Sequence, residues 1–159
     1  MAGSISARLA ALGIELPPVA SPLANYVPAI RSGDLVWTAG QLPLVEGKLP
    51  IAGKVGTGAG QVSPDAARDL ARTAMLNAIS AVAAQVGSLD RVEQVVKVVG
   101  FVASDPTFTG QPGVVNGASE VIGQIFGDAG AHARSAVGVA VLPLDAPVEI
   151  ELVVRVGTK

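Results

Sequence analysis

Apolar residues recur along this chain with two different periods. Ile5, Leu9 and Leu12 fall at helical spacing and stop at Gly13, which predicts a short helix over residues 4–12. The proline-rich run "ELPPVASPLANYVP" that follows reads as extended connection. "DLVWTAGQL", residues 34–42, is strand-like and follows a turn at Ser32-Gly33-Asp34. The glycine-rich run "VEGKLPIAGKVGTGAG" predicts a loop with room for one short strand. The strongest signal comes next. Ser63 suits an N-cap, Pro64 the first helical position, and Asp65 the positive end of the helix dipole. Ala67, Leu70, Ala71, Ala74, Met75, Ala78, Ile79, Val82 and Val86 then line one helical face, and Gly87 suits its end. So many alanines on that face predict close packing on a sheet.

"RVEQVVKVVGFVAS", residues 91–104, is β-branched and strand-like, and "DPTFTGQP" breaks it. Val114, Val115, Ala118, Val121, Ile122, Ile125 and Phe126 mark a second amphipathic helix ended by Gly127. The closing stretch "HARSAVGVAVLPLDAPVEIELVVRV" reads as two strands around a turn at Leu142 to Pro147. The pattern predicts an α+β fold, one sheet with two main helices packed on one face. In the last strand Val148, Ile150, Leu152, Val154 and Val156 share one side, and Glu149, Glu151, Val153 and Arg155 the other. Both faces are fairly apolar, and helices on one side leave the other uncovered. That favours an oligomer.

The totals change this picture little. The 159 residues suit one domain, with a short N-terminal helix and an extended lead-in at 1–25. Aromatic residues make up 3% of the chain, so Val, Ile, Leu and Ala must build the core. There is no cysteine, which excludes disulfides, thiolate metal sites and a cysteine nucleophile, and which suits a reducing cytoplasm. The net charge of −2, with no basic run, speaks against nucleic acid as a partner. No apolar run has the length of a signal peptide or a membrane span, so the expected location is cytoplasmic.

Few residues offer chemistry. Arg134 at a strand start can grip a carboxylate with two parallel hydrogen bonds, or it can serve in an ion pair. His132, the sole histidine, is a candidate for proton transfer or a bystander; with no second histidine a typical zinc site is excluded. Glu149 and Glu151 share a partly apolar face, where a carboxylate can move a proton or bridge an interface. Tyr26 can contact a ligand or cover the core, and Asn116 can be a polar ligand contact or solvated surface. "GKVGTGAG" lacks the spacing and the Lys-Ser/Thr ending of a phosphate loop.

The order of these pieces is informative. "NYVPAIRSGDLVWTAGQLP", "QPGVVNGASEVIGQIFG" and "ARSAVGVAVLPLDAPVEIEL" together resemble the Rid family of YjgF-like proteins, across about residues 22 to 156. "HARSAVGV" and "VVNGAS" point to a divergent branch. The resemblance implies a chorismate-mutase-like α+β fold and a homotrimer whose sheets form a central barrel, with ligand clefts between subunits. It implies hydrolysis of reactive enamines and imines such as 2-aminoacrylate to 2-keto acids and ammonia, with no cofactor. Non-catalytic binding of a small carboxylated metabolite is the alternative. By the same resemblance Arg134 holds the substrate carboxylate and Glu149 handles water and protons. Tyr26, Gly40 and Asn116 line the cleft, and backbone groups around Arg134 and Ser135 orient the imine carbon. Ala136 stands where the family often has cysteine, and Ala39 replaces a serine. If the last two strands form a hairpin centred between Leu144 and Asp145, Glu149 faces Ala140. Arg134 then shares its face six positions away, roughly 20 Å. A joint site would need a neighbouring subunit.

Overall fold

A computed structural model of the chain describes residues 4–157; the first three and last two residues of the expected domain lie outside that range. The elements are α1 (Ile5–Leu12), β1 (Ala29–Ser32), β2 (Leu35–Thr38), α2 (Pro64–Val86), β3 (Val92–Ala103), α3 (Gln111–Phe126), β4 (Ala133–Val139) and β5 (Val148–Val156). Five strands form one mixed sheet in the order β1-β2-β5-β3-β4. No helix among the described residues is long and apolar enough to cross a membrane.

The helices form where their caps and apolar stripes demand. Ser4 Oγ accepts from Ala7 N and starts α1, and Gly13 closes it in the left-handed conformation. Ser63 Oγ accepts from Ala66 N, and Pro64 follows it into α2. Every apolar position expected on the face of α2 is buried. That face and the apolar face of α3 close over Val95, Val98, Val102, Val148, Ile150, Leu152 and Val154 of the sheet, making the main core. A smaller apolar cluster, Leu42, Ala103, Leu142 and Ala146, sits apart from it, with Phe101 and Val139 packed against it.

The closing stretch is not a hairpin. β4 pairs in parallel with β3, and β5 runs antiparallel on the other side of β3. The cause is α3. A helix between β3 and β4 carries the chain back to the starting end of β3, so the next strand arrives parallel to it. β5, apolar on one whole face, then takes an interior position between β2 and β3. Residues 140–147 therefore cross the end of β3 rather than make a tight turn. This crossing is held by Gly53 N to Asp145 O at 2.8 Å, by Ala103 N to Pro147 O at 2.9 Å and by an ion pair of Lys54 with Asp145. β1 is an element the periodicity did not reveal. Its four residues are too few to show alternation, and Pro28 precedes them as edge strands allow.

α2 and α3 meet at Gly117. A Cβ there would collide with the carbonyl oxygen of Arg68 on α2. Gly117→Ala should therefore force the helices apart and cost about 1–3 kcal/mol of stability, read as a lower urea midpoint. An unchanged midpoint would mean that the two backbones are not in contact at this position.

Candidate functional site

The register of β3 decides where each candidate side chain goes. Arg134 is level with Val98, which is fully buried in the core under the helices. Arg134 thus points to the helix side of the sheet. Glu149 is level with Phe101 on the opposite, open side. The expectation that Arg134 and Glu149 share a face fails, because it assumed that β4 pairs with β5. The two residues lie two strands apart and three positions along. That is roughly 10 Å across the strands and roughly 10 Å along them, with the sheet in between. They do not meet within one chain.

Around Arg134 the structure builds a hydrogen-bonded group. Its Nη1 donates to Asn116 Oδ1 at 2.8 Å and to Ser119 Oγ at 3.2 Å, and its Nη2 donates to Pro112 O at 3.3 Å. Residues 112, 116 and 119 recur at spacings of four and three, so they fall on one face of α3. A guanidinium carries five N–H donors. Three are used here. The Nε–H and one Nη2–H have no partner among the described residues. Asn116, expected as a ligand contact, is spent in part on holding the arginine.

His132 belongs to the same group. Its Nδ1 lies 2.6 Å from Gly130 O and its Nε2 lies 2.9 Å from Ser119 Oγ. A carbonyl oxygen can only accept, so Nδ1 carries a proton, and in the neutral ring Nε2 accepts from the serine hydroxyl. Ser119 was not singled out in the sequence. The signal was available in its spacing from Asn116, but only with Arg134 placed beside α3 does it become visible.

Glu149 forms the second group. Its carboxylate lies against the Cα of Gly40, where a Cβ would collide with Oε1. Backbone bonds between Gln41 and Ile150, at 2.8 and 3.0 Å, hold this approach. Asn77 of α2 secures the segment after it, donating to Leu42 O and Leu44 O at 3.0 Å each. Gly40, Gln41 and Tyr26 line a shared niche of about 20 Å³. The Tyr26 hydroxyl accepts from Leu23 N at 3.3 Å. Partial burial pushes the Glu149 carboxyl above the usual carboxylate range, and the neighbouring Glu151 adds to this. Ser135 faces the open side with Glu149, where its hydroxyl accepts from Lys97 Nζ at 3.1 Å. Its side chain is therefore turned away from the Arg134 group. Ala136 faces the helix side and packs against the main core.

The model of the family "YjgF/chorismate mutase-like, putative endoribonuclease" matches residues 6–156. Protein TCP17 of Trypanosoma cruzi is 42% identical over 156 residues, 98% of this chain and 96% of its own. The crystal structure of a "putative endoribonuclease" from Shewanella oneidensis superposes with a TM-score of 0.91 at 32% identity, covering 97% of this chain and all of that one. TdcF of Escherichia coli, crystallised with bound serine, matches with a TM-score of 0.59 at 26% identity over 87% of this chain and 94% of its own. The chain belongs to the YjgF/chorismate-mutase-like family, and it carries that family's mixed α+β fold.

The Glu149 environment has a pH signature. A raised pKa in the fold means that the protonated form is favoured there. This stabilisation is complete below the ordinary carboxylate range and is lost as pH rises through the raised value. Glu149→Gln should therefore gain more stability over wild type at about pH 7 than at about pH 4, by urea unfolding. An equal gain at both would show that the carboxylate bears no burial penalty.

Proposed function

We propose that this protein hydrolyses reactive enamines and imines derived from amino acids to 2-keto acids and ammonia, in clefts between subunits of a homotrimer. The observation that carries the reading is the Arg134 guanidinium, held by three bonds from α3 with two N–H donors left over. Such a pair suits a carboxylate. A small ligand bearing a carboxylate, serine, was bound in the relative TdcF. Glu149 sits on the other face of the sheet, so a cleft using both groups takes Arg134 from one copy and Glu149 from its neighbour. The open face favours such contact: Ile30, Trp37 and Val137 are 60%, 48% and 44% exposed.

The chemistry is modest. 2-Aminoacrylate tautomerises to an imine, and Arg134 fixes its carboxylate. Glu149, with its raised pKa, accepts a proton from a water as that water attacks the imine carbon. The nitrogen takes up a proton, the carbinolamine collapses, and pyruvate and ammonia leave. Positioning supplies most of the acceleration, because imines hydrolyse unaided. Non-catalytic binding of a carboxylated metabolite remains the second reading. It is supported by the same arginine, and by a relative with a bound amino acid. Endoribonuclease activity, which names of relatives suggest, sits badly with a net charge of −2.

Purified protein should accelerate pyruvate release from 2-aminoacrylate generated in situ. Arg134→Ala should lower kcat/KM by roughly 10- to 100-fold, the worth of a charged hydrogen-bonded contact. Equal rates for the two would remove Arg134 from the site. Saturable pyruvate binding without any acceleration would establish the second reading.

A further inference from the structure

The proposed function uses Arg134 and gives no task to Ser119 or His132. Their geometry is nonetheless directed. Gly130 O fixes the proton of His132 on Nδ1, at 2.6 Å. The other nitrogen is left to accept from Ser119, at 2.9 Å. The serine hydroxyl proton thus goes to the histidine, and the serine lone pairs face Arg134 Nη1, at 3.2 Å. A serine with its proton turned toward the arginine could not accept there. Nη1 is saturated by Ser119 and Asn116 together. Nη2 is pinned by Pro112 O. One of the three contacts that orient the fork thus comes from a chain running from a backbone carbonyl through an imidazole and a hydroxyl.

We infer that Ser119 and His132 are positioning residues for Arg134, holding its guanidinium so that the Nε–H and one Nη2–H on adjacent nitrogens take a single carboxylate. This rests on the reading that Arg134 anchors the ligand. The orientation matters because a free arginine side chain has several rotatable bonds, and a bidentate contact needs the fork in one plane. Holding it before the ligand arrives removes that ordering cost from binding. A merely structural pair would stabilise the fold and leave ligand affinity alone. A positioning pair makes uniform contributions to substrate and transition state, so its loss raises KM while kcat changes little.

The sole histidine makes the test clean. Long-range 1H–15N spectra of the protein at about pH 8 should show the Nδ1–H tautomer. Ser119→Ala should shift the Nε2 resonance and broaden or average the Arg134 Nε–H signal. Pyruvate titration followed by calorimetry should give a Kd about tenfold weaker in Ser119→Ala and in His132→Leu, the worth of one hydrogen bond to a charged group. His132→Gln, which keeps an acceptor for the serine proton, should recover most of the loss. With 2-aminoacrylate, the same variants should raise KM and leave kcat within about twofold. Wild-type affinity in Ser119→Ala and His132→Leu, alongside lost affinity in Arg134→Ala, would overturn the inference. So would an Nε2–H tautomer. If Arg134→Ala also binds pyruvate like wild type, the proposed function falls. Disorder of the arginine signal in Ser119→Ala would then still mark the pair as what holds it.

Discussion

Everything in this molecule depends on β3 being paired on both edges. Its parallel neighbour β4 and its antiparallel neighbour β5 take their faces from it, residue by residue. Side chains alternate along a strand, so a register fixes the face of every residue it pairs. Val98 carries Arg134 to the helix side, and Phe101 carries Glu149 to the open side. One register thus separates the two groups of greatest chemical interest. The helix that dictates this register also supplies the partners of the arginine, since α3 both returns the chain and presents residues 112, 116 and 119. Fold and site share one cause.

The two groups are built by different physics. Arg134 is polar and satisfied: its charge is met by a carbonyl, an amide and a hydroxyl, which keeps it in place without a carboxylate to neutralise it. Glu149 is strained electrostatically: it is half-buried beside Gly40 with Glu151 near and no hydrogen bond to its carboxylate among the described residues. Under the proposed function the first group receives the ligand's carboxylate and the second takes up a proton. Joined across two copies of the chain they would complement each other, and the exposed apolar residues of the open face give the copies a reason to associate.

The helices were legible because caps and stripes are local. Ser63, Pro64 and the alanine face of α2 needed no knowledge of the sheet. The face of β5 was legible for the same reason. Strand partnership was not, because pairing depends on where the chain returns, and α3 decides that. Reading "HARSAVGVAVLPLDAPVEIELVVRV" as a hairpin put Arg134 and Glu149 on one face; the structure puts them on two. The conclusion that they cannot meet in one chain survives on different grounds. The family resemblance identified Arg134, Glu149, Gly40, Tyr26 and Asn116 as a set, and the structure divides that set into two groups. His132 was conspicuous as the sole histidine, yet nothing local linked it to Ser119. The contact of Gly40 with Glu149 was likewise invisible, since it spans more than a hundred residues.

The proposed function needs Arg134 from one copy of the chain and Glu149 from another. Unfolding Arg134→Ala and Glu149→Gln chains together in equal amounts and refolding them tests this most directly. Each variant alone should keep no more than about a tenth of the wild-type kcat/KM on 2-aminoacrylate. In the mixture a cleft keeps both groups when its arginine comes from the Glu149→Gln chain and its glutamate from the Arg134→Ala chain, so about a quarter of clefts should be active. Activity of the mixture no greater than the mean of the two variants would contradict a site shared between subunits.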